Sequence, residues 1–414
     1  MKIDPSIILL FLFLCFSCKP PVEEEKQDQV FYVDVDSIVS TVDLKLSDIV
    51  DSVWLVALET SNESLLGTAT YYVDKECILA LYDGLNKFSS DGTFIKKLMK
   101  RGRGPGEIPN MLKYAINDYN NLILFDGYPN SKNKLLAYNY KEETLSIIPK
   151  AIEGFWYSLG IVNDSVLIGV IHDRYQTDSI KHAFFYQNYK GELISTIPNM
   201  RKAFSIYPIG GGMVYQTPWI SQGNNFNYVR FSATTDTLFK LKEGQLFPYI
   251  ILRTHIPGKY PPTIGPDKKG DRGFGFPRVE NSSYSILSEG IITDVEEVSP
   301  QGASDGVRIS SDVYYYFLNK STGKTYKINS YKDDFIGKIQ LSEGDHINFP
   351  VVQANGLIHV VYLPHQLMQL TLDNNSSTAL PPAIYKQLEQ LLKTMTENDN
   401  PVLLVGRIKD KVTI

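Results

Sequence analysis

Short stretches in which apolar and polar residues alternate run along most of the chain, separated by Asp, Gly and Asn. This is the pattern of β-strands with one face buried. One phrase recurs among them: an aromatic residue, a polar turn, then a strand that ends in Leu or Ile. It begins at Phe88 (FSSDGTFIKKL), Tyr138 (YNYKEETLSII), Tyr186 (YQNYKGELISTI), Phe231 (FSATTDTLFKL) and Phe317 (FLNKSTGKTYKI), with a weaker copy around Leu367 to Leu372. Consecutive copies lie roughly 45–50 residues apart, except for one gap nearly twice as long. The first unit divides into Ala69 to Val73, Cys77 to Leu81, Leu85 to Phe88 and Thr93 to Leu98. Four short strands per unit, repeated at this period, predict an all-β, six-bladed β-propeller with four-stranded antiparallel blades. Two β-sandwiches would not space one phrase evenly along the chain. The long gap implies an insertion over 243–283, between blades 4 and 5.

Two segments stand outside the repeat. Ile384, Leu388, Leu391, Leu392 and Met395 fall at helical spacing behind Pro381 and Pro382, which predicts one amphipathic helix over 382–396. The apolar run 401–408 then reads as a last strand. A ring must close on itself, because an open edge leaves backbone groups unpaired. Val53 to Leu58 and Val402 to Ile408 are the segments expected to meet there.

The N-terminus has a different pattern. Lys2 precedes an unbroken apolar run, Ile7 to Phe16, and the small residue Ser17 stands directly before Cys18. Residues 1–17 read as a lipoprotein signal peptide with Cys18 as the lipid anchor, although Cys15 occupies the place where such signals carry Leu. The run is about half the length of a membrane-crossing helix. Residues 18–30, with two prolines and Glu23 to Glu25, read as a flexible tether, and the propeller occupies 31–414. The expected location is the outer membrane, at the cell surface or the periplasmic face.

Composition narrows the function classes. A net charge of −5 over 414 residues argues against a nucleic-acid partner. Of the three cysteines one leaves with the signal and one takes the lipid, so Cys77 is a lone thiol, expected to be buried in a strand.

The chain also resembles the 6-bladed β-propeller lipoproteins of Bacteroidota, which are related in architecture to NHL-repeat propellers. The resemblance rests on Val56 to Leu66 (VALETSNESLL), the loop Gly102 to Glu107 (GRGPGE), Asp236-Thr237-Leu238, and Asn398 to Ile408 (NDNPVLLVGRI). It implies an anchored propeller and supplies no catalytic residues.

With four strands per blade, every blade-to-blade link emerges on one face of the ring. Three links there have a positive excess: Lys100, Arg101 and Arg103 against Glu107; Arg201 and Lys202; and the insertion with Arg272 and Arg278. A positive mouth on an acidic protein favours an anionic ligand. Arg101, Arg103, Glu107 and Arg272 are therefore candidate ligand-binding residues, with Trp156, Tyr157 and Phe274 as candidates to stack on sugar rings. The competing reading is that these are solubilising loops and packed aromatics.

Enzyme signatures are weak. The run Gly102 to Gly106 lacks the Lys-Ser/Thr ending of a phosphate loop, no histidine pair has zinc-helix spacing, and no nucleophile elbow occurs. No catalytic residue, metal or cofactor is assigned. A membrane-anchored binding module for a glycan, peptide or partner protein is the leading expectation. A propeller-type glycoside hydrolase or lyase, whose two carboxylates would leave no local signature, is the first alternative. A scaffold subunit of a surface complex is the second.

Overall fold

The computed structural model describes residues 29–34, 37–102, 104, 107–108, 111–127, 133–154, 156–171, 182–198, 219–223, 226–230, 237–242, 245–253, 278–280, 284–286, 290–303, 306–336, 340–341, 350–353, 355–369 and 380–409. They form a six-bladed β-propeller of antiparallel blades. From the inner to the outer strand, blade 1 is Thr70–Val73, Cys77–Leu81, Gly84–Ser89 and Phe94–Lys100. Blade 2 is Met111–Asn117, Leu122–Gly127, Lys134–Asn139 and Thr144–Pro149. Blade 3 is Trp156–Ile161, Val166–Ile171, His182–Asn188 and Leu193–Pro198. Blade 4 is Trp219–Gly223, Phe226–Arg230, Thr237–Lys242 and Gln245–Arg253. Blade 5 has two short inner strands, Arg278–Glu280 and Tyr284–Ile286, then Gly290–Ala303, Gly306–Asn319 and Thr325–Lys332.

Blade 6 joins the two ends of the chain. Its inner strands Val351–Val352 and Leu357–Tyr362 pair outward to Val402–Ile408, and the outermost strand is Val50–Ala57. Two of the runs that carry the family resemblance, 56–66 and 398–408, are the two sides of this closure. Asn400 ties them together: its Oδ1 accepts from the Leu66 amide at 2.7 Å and its Nδ2 donates to the carbonyls of Glu59 and Ser64.

The recurring phrase is the hairpin between the third and fourth strands of a blade. Asn139, Asn188 and Asn319 each end a third strand and accept backbone amides of the turn through Oδ1. The turn then needs a left-handed residue, supplied by Gly191 (φ 82°), Gly323 (φ 68°) and, where glycine is missing, Glu143 (φ 58°). Two copies behave differently. The phrase at Phe231 leads into the third strand of blade 4, and the outer strand Gln245–Arg253 follows inside the stretch expected as insertion. The stretch near Leu367 contains the short helix Pro364–Met368, which is no hairpin.

Alternating strands bury side chains on both faces of every blade, so the core is divided into six clusters, one per blade junction. Leu79, Ile123 and Phe125 lie between blades 1 and 2; Leu124, Trp156 and Phe185 between 2 and 3; Ile168, Phe184 and Val229 between 3 and 4. Tyr228, Leu238 and Leu318 bridge blades 4 and 5; Phe317, Ile358 and Leu404 bridge 5 and 6; Val56, Tyr71 and Leu403 bridge 6 and 1.

The segment before blade 6 forms a belt around the rim. Phe31–Asp34 pairs in parallel with the outer strand of blade 4, and Thr41–Lys45 pairs in parallel with that of blade 5. Phe31 and Val33 face inward, with Phe31 edge-on to Tyr249 at 5.7 Å. The helix Pro382–Thr394 packs on the outer strand of blade 6, burying Leu388, and Gln387 Nε2 donates to the Leu55 carbonyl at 3.3 Å.

Candidate functional site

The antiparallel order puts the end of the second strand, the start of the third, the end of the fourth and the link to the next blade on one face. The links that follow Lys100, Pro149, Lys332 and Ala57 all leave from this face, and the hairpin of the second and third strands of blade 5 ends there too. That hairpin is unlike its counterparts. Its strands are 14 residues each and pair throughout, from Gly290 opposite Asn319 to Ala303 opposite Gly306. The outer strand of blade 5 covers Tyr316–Leu318, and the inner strand Arg278–Glu280 covers Glu296–Val298. No described strand pairs with the residues beyond Ser299 opposite Ser310, so the described pairing there is an arm of two strands extending roughly 15 Å past the rest of the blade at ~3.4 Å per residue.

In the link from blade 1 to blade 2, Gly102 donates its amide to the Ile108 carbonyl at 3.0 Å, and Ile108 is buried between the blades. Glu107 bends back so that its Oε2 accepts the Gly104 amide at 2.8 Å. A Cβ on Gly102 would displace that carboxylate from its place in the loop. Glu107 thus shapes the loop, and Arg101 at its base is exposed.

The link from blade 2 to blade 3 is built on a fully buried ion pair. Lys150 Nζ lies 2.8 Å from Asp126 Oδ1 and donates to the Gly154 carbonyl at 2.7 Å. Asp126 Oδ2 accepts the Trp156 amide at 2.7 Å. Burial pulls the Lys150 ammonium below its ordinary range, and the Asp126 carboxylate opposes that shift. Trp156 stacks edge-on against Phe185 at 4.5 Å and donates Nε1–H to the Ile152 carbonyl. It is fully buried, so it packs the junction and offers no face to a sugar. Tyr157 is the next residue of the inner strand of blade 3. Arg103, Arg272, Phe274 and Cys18 lie outside the described residues.

After blade 5, Asp333 is buried and accepts the amides of Phe335 and Ile336 at 3.0 and 3.1 Å. Burial pushes its carboxyl up to about 6. Asp334 takes the Ser47 amide at 3.0 Å, which fastens the belt to this link.

The opposite face carries the other polar groups. The Tyr72 hydroxyl donates to Asp118, whose carboxyl is raised by burial, and Asn117 Nδ2 donates to the Tyr189 hydroxyl. Gln353 receives the Val73 amide through Oε1 at 2.9 Å and meets Nδ1 of the buried His359 at 3.1 Å. Cys77 is buried and its thiol is pushed up to about 11, which makes it inert. Among the described residues no group of three or more His, Cys, Asp or Glu is placed to hold a metal ion, and no helix is long and apolar enough to cross a membrane.

The belt and the ring together are what a known family model recognises: the model described as Domain of unknown function (DUF4934) matches residues 30–407, from the first belt strand to the closing strand. The chain belongs to the DUF4934 family. No curated protein matches it. Among solved structures, this DUF4934 chain is similar to a protein of Bacteroides fragilis NCTC 9343 described as exported, at 15% identity and a TM-score of 0.58 over 92% of this chain and 99% of that one. That likeness shows the shared fold. An extracellular domain of a protein of B. thetaiotaomicron described as a hybrid two component system matches at 11% identity and a TM-score of 0.38, over 74% of this chain and 32% of that one.

Sequence reasoning did not find the Asp126–Lys150 pair or the long hairpin of blade 5. The pair joins a strand residue to a link residue 24 positions away, which leaves no local signal. The hairpin did leave one, Ser304-Asp305-Gly306 at the centre of Gly290 to Asn319, although Pro300 and Gly302 beside it blur the strand pattern.

Proposed function

We propose that the protein is a membrane-tethered binding module that presents the link face of its propeller to a glycan, a peptide or a partner protein. The arm of blade 5 carries this reading. It rises on the face where the links gather and makes a wall beside the ring, and concave surface of that kind is where ligands are held. In this reading the ligand is anionic, a glycan acid or a peptide carboxylate. Arg101, Arg103 and Arg272 grip it, because guanidinium groups take carboxylates in paired hydrogen bonds. Phe274 and Tyr157 stack on its rings. A lipid on Cys18 and the tether 18–30 hold the module at the outer membrane, and replacing Cys18 by Ala is expected to abolish fatty-acid labelling.

The test is a thermal-shift screen of the purified protein against acidic glycans and peptides, with a parallel assay for product release. A ligand at a hundred times its Kd stabilises by about 2.7 kcal/mol. The expected result is a shift without product, lost when residues 299–310 are replaced by a two-residue turn while the unliganded Tm stays unchanged. Ligand binding that survives loss of the arm and of Arg101, Arg103 and Arg272 overturns the assignment to this face. Product release replaces the binding module with a hydrolase or lyase.

A further inference from the structure

The outer edges of the six blades are treated unequally. Blades 4 and 5 have theirs covered by the belt strands Phe31–Asp34 and Thr41–Lys45. Blade 6 has the helix Pro382–Thr394 against its outer strand, with Gln387 bonded to the Leu55 carbonyl. The outer strand of blade 1 carries Lys96, Lys97 and Lys100, the side chains with which natural sheets discourage pairing at an edge. Among the described residues, blades 2 and 3 have none of these protections. Their outer strands read TLSIIP (144–149) and LISTIP (193–198), without an ionisable side chain, and no described strand pairs with their free edges. Only the proline that ends each strand limits pairing.

These edges also expose apolar surface. Leu145 is 39% exposed, Ile147 57%, Leu193 49% and Ile194 54%. The two strands are neighbours on the rim: Pro149 abuts the turn that begins the outer strand of blade 3, where a Cβ on Gly191 would lie 2.7 Å from Pro149 Cβ. Gln187 Nε2 also bonds the Pro149 carbonyl at 2.9 Å. The result is an apolar strip in two parts on two adjoining blades, interrupted at their join by the exposed Lys190 and Glu192, beside the edge where the belt begins.

We propose that this strip is the contact between two copies of the chain, which pair edge to edge through the outer strands of blades 2 and 3. A second copy is the occupant that fits the charge pattern. An uncharged edge can lie antiparallel against its own image with no like charges opposed, and a two-fold contact needs only one self-complementary patch. Two short strands per copy make a small interface, at or below the roughly 800 Å² per partner of a standard complex, so the dimer is weak and concentration-dependent. Tethering to a common membrane surface would raise its occupancy.

Sedimentation equilibrium of the purified protein over a concentration series reads this directly. The expected result is a reversible monomer–dimer equilibrium. The double variant Ile147→Lys, Ile194→Lys should weaken it by at least about tenfold at unchanged Tm, since both side chains are at least half exposed and opposed lysines repel. Should that variant fold poorly, Ser146→Cys serves in its place: Ser146 is exposed, Cys77 is buried, and oxidation should give a disulfide-linked dimer. A protein that stays monomeric up to the millimolar range overturns the proposal, whether or not a strand from another protein binds there. So does a dimer that survives the lysine variant and leaves the Ser146→Cys variant uncrosslinked.

Discussion

Lys150 and Asp126 are charges taken wholly out of water and held by three hydrogen bonds from and to the link they organise. Breaking one side of such a pair leaves the other charge stranded, so Lys150→Met should lower stability by about 3–5 kcal/mol. Adding Asp126→Asn should restore part of that, because the amide oxygen still accepts the Trp156 N–H. Urea denaturation of the single and double variants measures the coupling. His359 and Asp333 make a second residue-level prediction, in pH. Burial lowers His359 to about 4 from an ordinary 6.5, so the unfolded chain takes up a proton that the fold refuses, and stability falls as pH drops from about 6.5 to 4. Asp333 is raised to about 6 from 3.8, so its folded state holds the proton longer and stability falls as pH rises across nearly the same window. Each is worth on the order of 3 kcal/mol, with opposite sign. Asp333→Asn should therefore leave the His359 rise of stability from pH 4 to 6 unopposed, and His359→Gln should leave the Asp333 fall unopposed. Denaturation at a series of pH values separates the two slopes.

At the scale of the element, the hairpin between third and fourth strands shows what one residue type does in two surroundings. Gly191 and Gly323 have the same left-handed backbone, yet a Cβ on Gly191 would meet Pro149 at 2.7 Å and one on Gly323 would meet only Gln29 Nε2 at 3.9 Å. Gly323→Ala should cost about 1 kcal/mol, the backbone penalty alone, and Gly191→Ala should cost about 2–3 kcal/mol, read from denaturation midpoints. This hairpin was also the most legible part of the chain, because its turn needs a short polar side chain soon after an aromatic (Ser89 with Asp91, Asn139, Asn188 or Asn319) and then a left-handed residue. The phrase misled at two places. The blade of Phe231 is one strand out of step, and Leu367 lies in the short helix that Pro364 begins. The candidate site was less legible. Arg101 and Glu107 are found in the predicted link, but Glu107 turns inward to the Gly104 amide, and Trp156 belongs to the core. A loop residue and a strand-start residue look alike in sequence, and only the neighbouring blade decides which of them is buried.

On the scale of the whole molecule, the six junction clusters are linked in a circle, so no blade keeps both neighbours unless the ring is shut. Closure rests on Val402–Ile408 lying between Leu357–Tyr362 and Val50–Ala57. Leu403→Ala, at a fully buried position of the closing strand, should cost about 2–5 kcal/mol and speed unfolding, measured by stopped-flow denaturation. The belt is different in kind, since it covers edges and closes nothing. Removing residues 31–40 should leave six blades and a native β-sheet circular dichroism spectrum, with light scattering that rises earlier on heating as the edge of blade 4 is bared.

The belt also governs the order in which the protein can finish itself. Phe31 waits for Ile250, Thr41 for Lys327, and Val50 for Ile408, so the first segments to be synthesised are the last to find partners. Blades 1 to 3 can assemble from neighbouring sequence, while the belt strands wait for blades 4 and 5 and Val50–Ala57 waits for Val402–Ile408. The ring closes only once Val402–Ile408 is available to Val50–Ala57, and its folding rate should follow the slow search for those distant pairings.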